Sequence, residues 1–109
     1  WLDADILVLS DIHQLWNSPI GERMTLACTD PLVPTVGSAF GVAGWKDLQL
    51  PITTPYFNAG VLIIDLDAWR KAEVTSRSID YLRLHHDDVY FWDQEALNAI
   101  LAKLGESGQ

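Results

Sequence analysis

A chain of 109 residues is long enough for one small domain or for part of a larger one. With 49% apolar residues and five Trp it can close a packed core, which excludes a disordered or low-complexity segment. Its formal net charge of −8 repels nucleic-acid backbones, so an acidic chain that handles phosphates needs a cation between its carboxylates and the ligand.

Cys28 is the single cysteine, which rules out an internal disulfide and suits a reducing compartment; it is expected to be a small buried hydrophobe. No apolar run is long enough to span a bilayer. The expected location is the cytoplasm, with any membrane association carried by segments outside this chain. The chain opens on Trp1, inside an apolar stretch that runs into two Asp, and is expected to be a piece of a longer protein.

Asp3-Ala4-Asp5 leads the apolar run Ile6-Leu7-Val8-Leu9, which reads as a buried strand. In an extended stretch residues two apart share a side, so the two carboxylates would repel unless a hard cation such as Mg²⁺ or Mn²⁺ lay between them. The same tripeptide also reads as a chance pair of loop acids. Ser10 or Asp11 can cap a helical turn carrying Leu15 and Trp16, closed by Pro19 and Gly21. Thr25 to Cys28 suits a short strand, and the proline- and glycine-rich stretch from Asp30 to Pro55 a long functional loop. Val61 to Ile64 is the second strong strand. Asp65 or Asp67 caps a helix through Trp69 and Arg70, and a helix beginning near Thr75 or Ser76 sets Ile79, Leu82 and the Leu84-His85 end on one face. The last helix shows Leu97, Ile100, Leu101 and Leu104 at helical spacing. Asp93 is placed at its N-cap, Glu95 in its first turn, Lys103 in its last and Gly105 at C′, with Trp92 and Leu97 as a hydrophobic staple. Strands alternating with helices predict an α/β layering.

Four motifs in series resemble the family 8 retaining glycosyltransferases, relatives of glycogenin and of bacterial lipopolysaccharide galactosyl- and glucosyltransferases. Trp1-Leu2-Asp3-Ala4-Asp5-Ile6-Leu7-Val8 is similar to Y-L-D-x-D-x-x-V, and Asp11-Ile12 with Leu15-Trp16 to D-I-x-x-L-W. The run from Tyr56 to Leu66, followed by Trp69-Arg70, is similar to F-N-A-G-V-L-x-I-N-L-x-x-W. Asp93-Gln94-Glu95-Ala96-Leu97-Asn98 is similar to D-Q-D-x-L-N. The resemblance covers nearly the whole chain. It implies an A-type glycosyltransferase fold, a mixed sheet flanked by helices, incomplete here.

The resemblance further implies transfer of a hexose from a nucleotide diphosphate sugar, UDP-glucose or UDP-galactose, to a saccharide acceptor with retention, in lipopolysaccharide or polysaccharide biosynthesis. Asp3 and Asp5 would ligate Mn²⁺ (or Mg²⁺) bridging the donor diphosphate, with Ala4 among the donor-contacting positions. Asn58, Ala59 and Gly60 would meet the donor sugar; without the resemblance, Asn-Ala-Gly reads as ordinary turn chemistry. Asp93 would hold a sugar hydroxyl and Gln94 would lie near the anomeric carbon as the catalytic pair, although Asp93 also reads simply as a helix cap. Trp1 stands where the family has Tyr, and Asp65 where it has Asn. The family's upstream βαβ nucleotide pocket and its downstream H-x-x-G-x-x-K-P-W motif are not in these 109 residues, so the piece alone is expected to be a weak or dead catalyst.

His85-His86-Asp87-Asp88 looks like a metal cluster, but adjacent helical residues point about 100° apart. His13 is expected to be exposed and the Trp residues mostly core, with Trp45 in the loop a candidate to stack on an acceptor sugar. Two rival readings remain. One is a haloacid dehalogenase-type phosphatase, which wants Thr or Val where Leu7 stands; the other is an inactive or truncated domain that folds or self-associates into a homo-oligomer.

Overall fold

The computed structural model describes residues 1–106. Helix α1 (His13–Trp16) is followed by strands β1 (Thr25–Thr29) and β2 (Phe57–Ile64), then helices α2 (Leu66–Lys71), α3 (Val74–Leu84) and α4 (Trp92–Glu106). β1 and β2 pair antiparallel. The opening residues line the opposite edge of β2: the Trp1 nitrogen donates to Leu62 O at 2.9 Å, Leu62 N–H to Trp1 O at 3.0 Å and Asp3 N–H to Gly60 O at 2.9 Å. β2 therefore sits at the centre, fed by the apolar run that the sequence marks.

The ladder contains an irregularity that shapes everything near it. Ala27 pairs with Leu62, but Cys28 pairs with Asn58, so β2 advances further than β1 across that step. Ala59, Gly60 and Val61 face no β1 partner, and their backbone groups must be satisfied elsewhere.

Local signals account for the helices. Asp65 caps α2 by accepting from the N–H groups of Asp67 and Ala68, both at 3.1 Å. Asp11 accepts from His13 N–H at 2.9 Å at the start of α1. α3 turns Val74, Ser78 and Tyr81 inward at helical spacing; of the expected face, Leu82 packs on the core and His85 is buried, while Ile79 and Leu84 are exposed. α4 begins at Trp92, which places Asp93 in the first turn and not at the cap, and it runs through Gly105 to Glu106, so Gly105 is not a terminator. Trp92 is exposed and forms no buried staple.

The core lies between the 30–55 segment, α3 and α4. Val33, Val36, Val42 and Leu50 from that expected loop pack with Tyr56, Val74, Tyr81, Ala96, Ala99 and Ile100. Glu95 is fully enclosed among them. Its carboxylate accepts from Tyr81 OH at 2.7 Å, Ala43 N–H at 3.0 Å and Tyr90 N–H at 3.3 Å, and Tyr81 OH in turn accepts from Gly44 N–H at 3.1 Å. A Cβ on Gly44 would lie 2.8 Å from His85 Nε2, so only glycine lets the segment come this close to α3.

Three further sequence expectations are overturned. Ile6 to Leu9 form no strand and are exposed, because no described strand lies alongside to accept their backbone hydrogen bonds. Cys28 is exposed together with its neighbours Ala27 and Thr29, because the core does not cover this end of β1. Trp1, Trp16 and Trp92 are exposed; only Trp45 and Trp69 lean on the core. His13 is exposed, as expected. An apolar groove of about 740 Å³ runs between the opening segment and β2, walled by Trp1, Leu15, Trp16, Ile20, Leu62 and Leu66. Among the described residues no helix is long and apolar enough to cross a membrane.

Replacing Glu95 by Ala leaves the buried Tyr81 hydroxyl and the part-buried Ala43 and Tyr90 N–H groups without their acceptor and should destabilise the full-length protein by about 2–4 kcal/mol. Glu95→Gln, which retains an acceptor, should cost less. Urea unfolding of the two variants side by side measures this, and equal losses would refute the hydrogen-bond account.

Candidate functional site

The irregular stretch of β2 is where three of the four sequence motifs meet. Its freed N–H groups are taken by two side-chain amides: Ala59 N–H donates to Gln94 Oε1 at 3.0 Å and Gly60 N–H to Asn58 Oδ1 at 2.8 Å. The backbone irregularity therefore holds Asn58 and Gln94 side by side, although Gln94 lies 35 positions beyond Ala59 in the chain. α4 is locked onto the strand by Asn98, whose amide exchanges two 2.8 Å hydrogen bonds with the backbone of Phe57 and donates to Gln94 O at 2.9 Å. Asn98 thus imitates a neighbouring strand and sets the position of Gln94 along β2.

Asp3 closes the other side. Its backbone is tied to Gly60, and its Oδ1 accepts from Trp1 Nε1 at 2.9 Å. A Cβ on Gly60 would lie 2.9 Å from Asn58 Oδ1 and 3.2 Å from Asp3 Oδ2. Glycine at this position is what lets the Asp3 carboxylate and the Asn58 amide share one patch of backbone. Ala4 and Asp5 lie in a turn, so the extended geometry assumed for the acidic pair does not hold; both carboxylates are nonetheless exposed. Asp93, also exposed, stands one residue before Gln94 in the first turn of α4.

Beneath these groups lies Asp30, only 8% exposed. Its Oδ1 accepts from Leu32 N–H at 2.9 Å and Val33 N–H at 3.3 Å, while Oδ2 accepts from Gln94 Nε2 at 3.1 Å and Asn58 Nδ2 at 3.3 Å. Burial alone would raise its pKa, but these hydrogen bonds outweigh it and hold the carboxyl below its ordinary value. Tyr56, buried alongside, receives a 3.4 Å hydrogen bond from Gln94 Nε2. Burial pushes its phenol up to about 12; the negative charges of Glu95, Asp30 and Asp93 add to the rise and the Gln94 hydrogen bond opposes it.

Sequence reasoning brought Asp3, Asn58, Gly60 and Gln94 to one place. It missed Asp30, Tyr56 and Asn98 as parts of the same network. Asn98 was visible as the last letter of the D-Q-D-x-L-N match; Asp30 next to Pro31 carried only a turn signal. The His85–Asp88 stretch splits apart: His85 is buried against the Tyr81 ring at 4.6 Å, and His86 faces outward to Asp87 at 3.2 Å. Trp45 rests on the core with Lys46 Nζ 5.5 Å from its ring centroid.

Among the described residues no group of three or more His, Cys, Asp or Glu side chains converges as a metal site. Asp3, beside Gly60, and Asp5, two residues on, are both exposed carboxylates, oxygen donors of the type that suits a hard divalent cation completed by other oxygens.

The fold is that of the A-type glycosyltransferases, of which the chain holds a part. It superposes with a TM-score of 0.72 on crystal structures of the galactosyltransferase LgtC, one in complex with donor and acceptor sugar analogs and one an active-site glutamine-to-glutamate mutant. The match is 29% identical and covers 92% of this chain and 34% of that one. Glycosyl transferase family 8 matches over residues 1–105, and the chain belongs to that family. Similar proteins include general stress protein A of Bacillus subtilis, 36% identical over 93% of this chain and 33% of that protein. A putative glycosyltransferase of Haemophilus influenzae is 29% identical over 92% and 29%, and the probable galacturonosyltransferase-like 10 of Arabidopsis thaliana 27% over 96% and 30%. The chain thus spans about a third of the length of these relatives.

The raised Tyr56 pKa gives an alkaline test. The fold favours the neutral phenol, so this stabilisation is complete below the unfolded pKa of about 10 and is lost as pH rises through about 12. Thermal melts between those limits should show a shallower decline for Tyr56→Phe than for wild type. Parallel curves would refute the assignment.

Proposed function

We propose that the protein to which this chain belongs transfers a hexose from a nucleotide diphosphate sugar to a saccharide acceptor, with retention of anomeric configuration and with a divalent cation. The observation that carries this reading is the meeting of Asp3, Asn58 and Gln94 around the Ala59–Gly60 backbone of β2. A sugar needs donors and acceptors presented together at close range, and two amides over a glycine supply both. UDP-glucose and UDP-galactose are the donors this reading favours, the latter in line with the galactosyltransferase LgtC.

Asp3 and Asp5 would hold the cation, Mn²⁺ or Mg²⁺. When bound, such an ion neutralises charge on the departing nucleoside diphosphate. The chain's own residues do the rest. Asn58 grips hydroxyls of the donor sugar, and Ala59 and Gly60 let the ring approach the strand. Asp93 accepts from a sugar hydroxyl. Gln94 directs its amide oxygen to the anomeric carbon, where positive charge builds as the glycosidic bond breaks.

A phosphatase of the haloacid dehalogenase type leaves the Asn58–Gln94 network without a purpose, and family membership speaks against it. Self-association has an observation of its own. Trp1 and Trp16, which wall the apolar groove along β2, are 70% and 76% exposed, and Leu7 and Leu9 of the opening segment 80% and 87%. Light scattering of the 109-residue chain should therefore show a mass that rises with concentration. A constant monomer mass would remove this second reading.

The cation assignment is tested on the full-length protein by calorimetry with UDP, with and without Mn²⁺. Binding should need the metal, and Asp3→Asn with Asp5→Asn should weaken it by about 100-fold or more. UDP binding that ignores Mn²⁺ would sink the roles given to these two residues.

A further inference from the structure

Asp30 uses its two oxygens differently. Oδ1 accepts from the N–H groups of Leu32 and Val33, the ordinary turn that an aspartate, asparagine or serine can make. Oδ2 meets only side-chain amides, Asn58 Nδ2 at 3.3 Å and Gln94 Nε2 at 3.1 Å, from two separate elements. A turn does not need that second oxygen.

A carboxylate is an acceptor at both ends, so both amides must turn their NH₂ groups toward it and their oxygens away. The Gln94 inventory then closes almost completely. Its Nε2 hydrogens go to Asp30 and Tyr56, and one Oε1 lone pair takes Ala59 N–H. A single Oε1 lone pair remains, so Gln94 meets a ligand as an acceptor only. Asn58, with one N–H and one lone pair uncommitted, both donates and accepts.

We propose that Asp30 is a positioning residue that fixes the Asn58 and Gln94 amides for the donor sugar, presenting Gln94 through its oxygen; the role rests on the transferase reading of this site. Asparagine cannot substitute. Whichever way its amide turns, an NH₂ meets either the Leu32 and Val33 N–H groups or the two amide NH₂ groups.

The test is calorimetry of the full-length protein with Mn²⁺, comparing UDP with the tighter-binding of UDP-galactose and UDP-glucose. Asp30→Asn should weaken sugar-nucleotide binding by about 10-fold relative to UDP, with UDP affinity itself unchanged. Asn58→Ala combined with Gln94→Ala should show the same selective loss, and adding Asp30→Asn to that pair should weaken binding by less than about 2-fold more. If Asp30→Asn fails to fold, Asp30→Ser, which keeps the turn acceptor, carries the same comparisons. An unchanged sugar-nucleotide affinity, an equal loss of UDP binding, or full additivity would overturn the positioning role alone. Wild-type binding by the Asn58→Ala, Gln94→Ala protein would overturn the sugar contacts and this role with them.

Discussion

The structure depends on a strand that stops pairing with its neighbour for three residues. Where β1 no longer reaches it, β2 exposes the N–H groups of Ala59 and Gly60 in a place too enclosed for them to go unsatisfied. Two amide oxygens, from Gln94 and Asn58, occupy them. The requirement is structural, and the arrangement that meets it leaves two polar side chains at fixed spacing over a glycine. On the proposed reading, the surface that meets the sugar follows from how the backbone had to be satisfied.

The amides are in turn constrained from below and from the side. Asp30 determines which end of each amide faces inward, and Asn98 determines where α4 stands along β2. Glu95, the neighbour of Gln94, reaches the other way and holds the 41–45 backbone, α3 and the Tyr90 turn together. The first turns of α4 therefore carry near neighbours with opposite assignments: Gln94 toward the β2 amides, Glu95 and Asn98 toward the scaffold. Displacing the scaffold pair would move Gln94, because they share less than about two turns of one helix.

How much of this was legible in the sequence depends on the range of the interaction. β2, the Asp65 cap and the body of α4 carry local signals and were readable. The motif letters placed Asp3, Asn58 and Gln94 in one pocket by resemblance. Ile6 to Leu9 misled, because a continuous apolar run describes a strand only when something lies beside it to pair with. The 30–55 segment looked like a loop because its valines follow no period, yet it supplies Val33, Val36, Val42 and Leu50 to the core. Asp30 was illegible for a related reason. Its turn to Leu32 is written locally, whereas its contacts with Asn58 and Gln94 span 28 and 64 residues and exist only once β2 and α4 have met.

The electrostatics tie the buried network to the acidic composition. Among the described residues, Asp30 and Glu95 are enclosed carboxylates with no salt bridge, and the ion pairs Arg70–Asp67, Arg83–Asp80 and His86–Asp87 all lie at the surface. N–H and O–H donors hold the buried charges instead, an arrangement that stabilises an anion without cancelling it. Asp30 beneath the site and Asp3 and Asp93 near it thus leave a negative field around the Asn58–Gln94 network. A diphosphate could not rest there by itself. On the proposed transfer, a cation between carboxylate and phosphate removes the repulsion, and this is the same need that a net charge of −8 imposes on any chain of this kind that handles phosphates.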